Sequence, residues 1–106
     1  MTRNNRSQEE IVADILSVVR NEPKKTHIMY GANLSYSILC KYLNMLITAN
    51  LIHCREDVRI YELTELGDIY LHRYKEYKAL EETLILNESR FNKKRDGLQS
   101  MLRFPE

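Results

Sequence analysis

The sequence predicts a mostly helical α+β fold in which one small domain leads into a single long helix. Three observations point there. The chain has only three Gly and two Pro in 106 residues, a composition that disfavours a sandwich or barrel of many short strands. The apolar residues repeat with a helical period in the first half, with a period of two over residues 51–62, and with a helical period again beyond them. The charged fraction of 29 % is above the usual band and the hydrophobic fraction of 43 % below it, as expected of a long solvated helix beside a small core. A chain of this length has room for one such core.

Residues 1–6 read as a flexible polar arm with nothing to bury. Ser7-Gln8-Glu9-Glu10 is a capping box: Ser7 accepts from a first-turn amide and Glu10 reaches back. Ile11, Val12, Ile15, Leu16 and Val19 then give one apolar stripe, and Asn21-Glu22-Pro23 ends the helix. A shorter helix follows with Thr26 as its cap, Ile28 and Met29 facing inward, and Gly31-Ala32-Asn33 as the breaker. Ser35 caps a third helix. Leu39, Tyr42, Leu43, Leu46 and Ile47 line its inner side, while Tyr36, Ser37, Cys40, Lys41 and Asn44 fall opposite. Asn50 stands where a left-handed residue closes a helix.

Residues 51–55 and 58–62 read as two short strands around Glu56-Asp57. Thr64 caps the last helix, with Glu65 at its positive end. Leu63, Tyr70, Tyr77, Leu84, Phe91 and Leu98 recur every seven residues in this segment. The second seam position, Leu66, Arg73, Leu80, Asn87, Lys94 and Met101, is apolar only half the time. Run from Glu65 to Asp96, the helix is about 48 Å long, more than so small a domain can cover, so the pattern calls for a partner. A dimeric coiled coil built on Tyr70, Tyr77, Leu80, Leu84, Phe91 and Leu98 is the expectation. Asp96-Gly97 is expected to bend or end the helix, leaving Leu98, Met101, Leu102 and Phe104 to pack back on the partner.

Helix, short helix, helix and hairpin, in that order, make a winged helix-turn-helix domain over residues 7–64, with residues 65–106 as dimerisation helix and tail. In such a domain the third helix enters the major groove and the wing lies on the backbone or minor groove. That places Ser35, Tyr36, Ser37, Lys41 and Asn44 at the bases or nearby phosphates. Lys24, Lys25 and Thr26, clustered with His27 before the second helix, suit a phosphate. Arg55 and Arg59 flank the wing tip, and Arg3 and Arg6 of the arm are further phosphate candidates.

The charge balance argues the other way. The formal net charge is +1, and residues 1–64 carry eight Lys/Arg against seven Asp/Glu, residues 65–106 eight of each. DNA affinity then has to come from local clustering, and a protein-interaction adaptor is the alternative reading. Catalysis finds little support. His27, His53 and His72 fall on three elements, and no Gly-rich phosphate loop or metal-ligand spacing occurs. No enzyme activity, cofactor or metal is expected. Cys40 and Cys54 read as free thiols. The polar start and the lack of a long apolar run point to the cytoplasm, with no membrane partner.

The stretch Lys24-Lys25-Thr26-His27-Ile28-Met29-Tyr30-Gly31-Ala32-Asn33-Leu34-Ser35-Tyr36 resembles a signature of archaeal winged-helix proteins. Lys41-Tyr42-Leu43, Asn50-Leu51-Ile52 and the segment from Tyr61 to Gly67 fit the same pattern. With one long helix appended, the whole resembles the crenarchaeal "10a" class of small chromatin proteins. The resemblance implies duplex DNA binding by a homodimer whose long helices pair antiparallel, in chromatin bridging or bending at the nucleoid. The chain is less basic than that class, which suits a sequence-selective transcription regulator equally.

Overall fold

A computed structural model describes residues 5–102 of the chain. Its elements run α1 (Gln8–Val19), α2 (Lys25–Gly31), α3 (Tyr36–Thr48), β1 (Ile52–Arg55), β2 (Ile60–Leu63) and α4 (Glu65–Ser100). The strands pair antiparallel, with Ile52 opposite Leu63 and Arg55 opposite Ile60. This is the winged helix-turn-helix arrangement with a long final helix. Arg3 and Phe104 lie outside the described residues.

The core forms where the stripes of α1 and α3 converge. Val12, Ile15, Leu16 and Val19 of α1 are buried together with Ile28, Leu39, Leu43, Leu46, Ile52 and Leu71. Burying each such side chain contributes about 1.5–3 kcal/mol against chain entropy. Ile47, expected on the inner side of α3, is instead 41 % exposed. It stands eight residues from Leu39, a spacing that drifts off a stripe centred on Leu39, Leu43 and Leu46.

Local signals explain most boundaries. Ser7 Oγ accepts from Glu10 N at 3.1 Å and Ser35 Oγ from Ile38 N at 3.4 Å, so both expected caps form. Thr26 does not cap α2. That helix begins at Lys25, and Lys24 occupies the cap position without a side-chain bond. The constraint comes from Pro23, whose buried ring and carbonyl fix the chain one residue earlier: Tyr61 N donates to Pro23 O at 3.0 Å. Asn50 takes the left-handed conformation, φ 63°.

The hairpin is shifted from its expected limits, with Glu56–Arg59 as a four-residue turn and Arg59 at φ 54°. Thr64 joins hairpin to helix. Its hydroxyl donates to Asn50 O at 2.7 Å and accepts from Gly67 N at 3.0 Å. Gly67 is required there, because a Cβ would stand 2.2 Å from Leu51 O.

Compact units divide between Tyr74 and Lys75, inside α4. The first includes the start of α4, since Gly67 and Leu71 are buried and Tyr70 and Tyr74 pack on the core. In the second, Leu80, Leu84, Phe91 and Leu98 are each between 63 % and 71 % exposed. The helix does not end at Asp96-Gly97 but continues to Ser100, 36 residues in all. One glycine costs a helix only about 1 kcal/mol, and Ser100 Oγ donates to Gly97 O at 2.8 Å.

Candidate nucleic-acid interface

Helix α3 presents its outer face to solvent because its inner face is fully used. Leu39, Leu43 and Leu46 are at most 3 % exposed, and helical spacing then turns Ser37, Lys41 and Asn44 outward, all three exposed. Ser35 is exposed as well, although its hydroxyl serves as the α3 cap.

Beside α3 lies a cleft of about 620 Å³ lined by Lys24, Lys25, Thr26, Tyr36, Cys54, Glu56, Arg59 and Tyr61. Three elements meet there: the start of α2, the first turn of α3 and the hairpin. Lys25 Nζ sits 4.8 Å from the centre of the Tyr36 ring and donates to Tyr36 Oη at 3.3 Å, a cation–π contact reinforced by a hydrogen bond. The Tyr36 hydroxyl and then the Cys40 thiol raise the Lys25 pKa above its ordinary 10.5, so this ammonium stays charged well into alkaline solution. Tyr61, on the opposite wall, has its phenol pushed up first by burial and then by Cys54. Cys40 and Cys54 are both free thiols.

Of the expected positions, Lys24, Lys25, Thr26, Tyr36 and Arg59 come together in this cleft. Arg55 sits elsewhere on the hairpin, its guanidinium 3.5 Å from Asp57, an exposed pair of little net strength. Lys41 lines a second, shallower groove of about 420 Å³ with Gln8, Ile38, Tyr42 and Met45. Sequence periodicity signals Ile38 and Met45 only by their absence from the inner stripe. Tyr61 and Glu56 as cleft walls were not legible at all, because the register of the hairpin decides which way they face.

Arg6 is not a free phosphate contact. Its side chain is 6 % exposed, paired with Asp14 at 2.7 Å, and donates to Ala32 O and Asn33 O at 2.7 and 2.8 Å. A short polar arm gives no sequence sign of such a docking, since the acceptors lie more than twenty residues away. Among the described residues no cluster of three or more His, Cys, Asp or Glu forms a metal site, and no helix is long and apolar enough to cross a membrane.

Comparison with known proteins gives three kinds of match. The family model described as winged helix-turn-helix matches residues 5–82. Two uncharacterized proteins of Methanocaldococcus jannaschii are similar. MJ0287 is 41 % identical over 61 % of this chain and 66 % of its own length. MJ0290 is 37 % identical over 62 % of this chain and 31 % of its own length. The matches thus span just under two thirds and about a third of those relatives. Among solved structures, Sso10a-2, a DNA-binding protein from Sulfolobus solfataricus, superposes with a TM-score of 0.67 at 27 % identity, covering 94 % of this chain and all of that one.

Proposed function

The chain belongs to the winged helix-turn-helix family, and from that premise we propose that it binds duplex DNA, without catalysis, through α3 and the cleft between α2 and the hairpin. The observation that carries this reading is the convergence of Lys24, Lys25 and Arg59, from separate parts of the chain, on one cleft beside the exposed face of α3. Such clustering gives a nearly neutral protein a local positive surface for phosphates. The likeness to a DNA-binding protein of Sulfolobus over 94 % of the chain supports the same reading.

In this reading Ser37, Lys41 and Asn44 face the base edges and Ser35 and Tyr36 the adjoining sugar-phosphate. Lys24, Lys25, Thr26 and Arg59 hold phosphates, and Arg55 extends the contact along the wing. The active form is a homodimer. Tyr70, Tyr77, Leu80, Leu84, Phe91 and Leu98 form its seam, and the two winged domains bridge or bend DNA at the nucleoid or regulate transcription. The exposed apolar side chains of α4 support dimerisation, because a helix with that stripe is poorly solvated alone. Tyr70 contributes least to the seam, since its ring packs on its own core and its hydroxyl donates to Glu9 O at 3.3 Å.

Fluorescence anisotropy with a labelled duplex, over a range of salt and against unrelated competitor, tests this. Salt-sensitive binding erased by competitor fits a chromatin protein, and binding that survives competitor fits a regulator. Lys41→Ala and Arg59→Ala should each weaken binding and flatten its salt dependence by about one ion. The net charge of +1 favours a second reading, an adaptor that holds a protein partner. Absence of binding to several duplexes at low salt selects that reading.

A further inference from the structure

Two apolar side chains of α3, Ile38 and Met45, lie off its buried stripe on one flank of the helix, while Ile47, also exposed, lies on the other. Ile38 is 42 % and Met45 37 % exposed, while Leu39, Leu43 and Leu46 already complete the inner face. Ile38, Lys41 and Met45, three and four residues apart, share one side of the helix and line the same groove. Gln8 Nε2 donates to Met45 Sδ at 3.4 Å, a weak bond that holds the thioether at the surface. Helix α3 has no Arg, the residue that most often reads guanine in the major groove. What the flank with Ile38 and Met45 offers a base pair is two apolar groups and one ammonium, beside the short polar side chains of Ser37 and Asn44.

We propose that Ile38 and Met45 read the C5-methyl groups of thymine, so that the protein selects major-groove steps rich in A·T pairs. The inference rests on the DNA-binding reading above and names the sequence class that the same face prefers. Apolar side chains recognise thymine through that methyl, and Asn pairs with the N6/N7 edge of its partner adenine. Two half-exposed side chains flanked by Lys41 match groups of methyl size beside a phosphate backbone. They are far too small an area for a stable protein interface, which needs about 800 Å² on each partner. Lys41 within the patch and the cations of the neighbouring cleft match a polyanion rather than an apolar peptide.

The test compares a labelled thymine-containing duplex with its counterpart in which every thymine is replaced by uracil. The exchange removes the methyl alone and keeps charge and hydrogen-bonding edges. The protein should bind the thymine duplex more tightly, by about fourfold for each methyl it covers, the equivalent of one buried methylene. The double variant Ile38→Ala/Met45→Ala should still bind but lose that preference. Its fold is checked by circular dichroism, and since both side chains are surface groups it should be retained. Equal binding of both duplexes by the unaltered protein overturns the inference while leaving DNA binding intact. A preference that persists in the double variant also overturns it, because other residues then read the methyl. If neither duplex binds, the DNA-binding reading itself falls, and this inference falls with it.

Discussion

Arg6 and Asp14 meet at 2.7 Å, and the same guanidinium donates to the carbonyls of Ala32 and Asn33 at 2.7 and 2.8 Å. One side chain thereby ties the segment before α1 both to α1 and to the turn between α2 and α3. That turn is the point at which α3 is aimed, and Asn33 holds it with φ 54°. A buried guanidinium fixes such a turn through fork geometry, which a point charge cannot reproduce.

Arg6→Ala should therefore destabilise the protein by about 2–4 kcal/mol. It strips two carbonyls of their donor and leaves Asp14 without its cation. Asp14 is 38 % exposed, so water compensates part of the loss and the lower end is expected. Urea unfolding should show an earlier midpoint with an unchanged slope. Arg6→Lys should recover only part of the difference. A loss below about 0.5 kcal/mol in Arg6→Ala, the level of an ordinary surface change, would show that the clamp contributes nothing.

Two glycines of α4 should respond in opposite directions to the same substitution. A Cβ at Gly67 would stand 2.2 Å from Leu51 O and 2.6 Å from Leu63 Cδ1, whereas at Gly97 it meets nothing within 4 Å. Gly67→Ala should cost roughly 1–3 kcal/mol through forced backbone movement, despite the better helix propensity of Ala. Gly97→Ala should increase the helicity and stability of α4 by up to about 1 kcal/mol. Circular dichroism with thermal unfolding reads both. Similar effects at the two sites would contradict the close packing of Gly67 against the hairpin.

Sequence legibility followed the range of the interaction. The capping roles of Ser7, Ser35, Thr64 and Asn50 are legible because a cap acts within three or four residues. The inner stripes of α1 and α3 were legible for the same reason. Ile47 and Gly97 are local exceptions, and the other failures were decided elsewhere in the chain. Arg6 is held by carbonyls more than twenty residues away, and α2 starts early because β2 bonds to Pro23. Gly97 looks like a helix stop only if its flanking helix formers are ignored. Of the candidate site, the basic cluster before α2 and the polar face of α3 could be read directly. The meeting of that basic cluster and Tyr36 with Arg59 in one cleft depends on a hairpin turn of four residues where the pattern suggests two.

Lys25 should act as a fixed cation in DNA binding. Its pKa is raised, chiefly by the Tyr36 hydroxyl and next by the Cys40 thiol. A raised lysine keeps its charge below its ordinary value and loses it only as pH climbs through the higher one. Affinity for duplex DNA should then be insensitive to Lys25 titration from neutral pH to about pH 9. Lys25→Gln should lower affinity and reduce the salt slope by about one ion. An unchanged salt slope in Lys25→Gln would remove this residue from the interface.

Tyr70 makes the alkaline limb of stability testable. Burial first, and then the neighbouring Glu9 charge, raise its pKa above 10.0. The folded protein thus holds the phenolic proton after the unfolded chain has released it. Its contribution is fully present below the ordinary pKa and is lost as pH rises from about 10 through the raised value. Tyr70→Phe, which gives up only the hydroxyl bond to Glu9 O, should unfold less steeply than the unaltered protein across that window. Urea midpoints measured at pH steps from about 8 to 11 would reveal the difference. Parallel curves would mean that the Tyr70 phenol is as well solvated folded as unfolded.

Dimerisation through α4 would cover an apolar stripe that the single chain leaves exposed. Leu84 is 68 % and Tyr77 50 % exposed in the single chain, and both stand at the regularly apolar seam position. If two α4 helices pair along that seam, Tyr77→Asp/Leu84→Asp would bury charges without partners, at a cost of several kcal/mol per ion. Light scattering should then read half the mass of the unaltered protein. Both residues lie outside the core of the winged domain, so unfolding of that domain should change little. DNA affinity should fall more than any single cation accounts for, because two tethered domains bind with an effective concentration that one domain lacks. A variant that remains dimeric would place the interface elsewhere. A monomer that still binds DNA with full affinity would separate dimerisation from recognition and leave bridging without a mechanism.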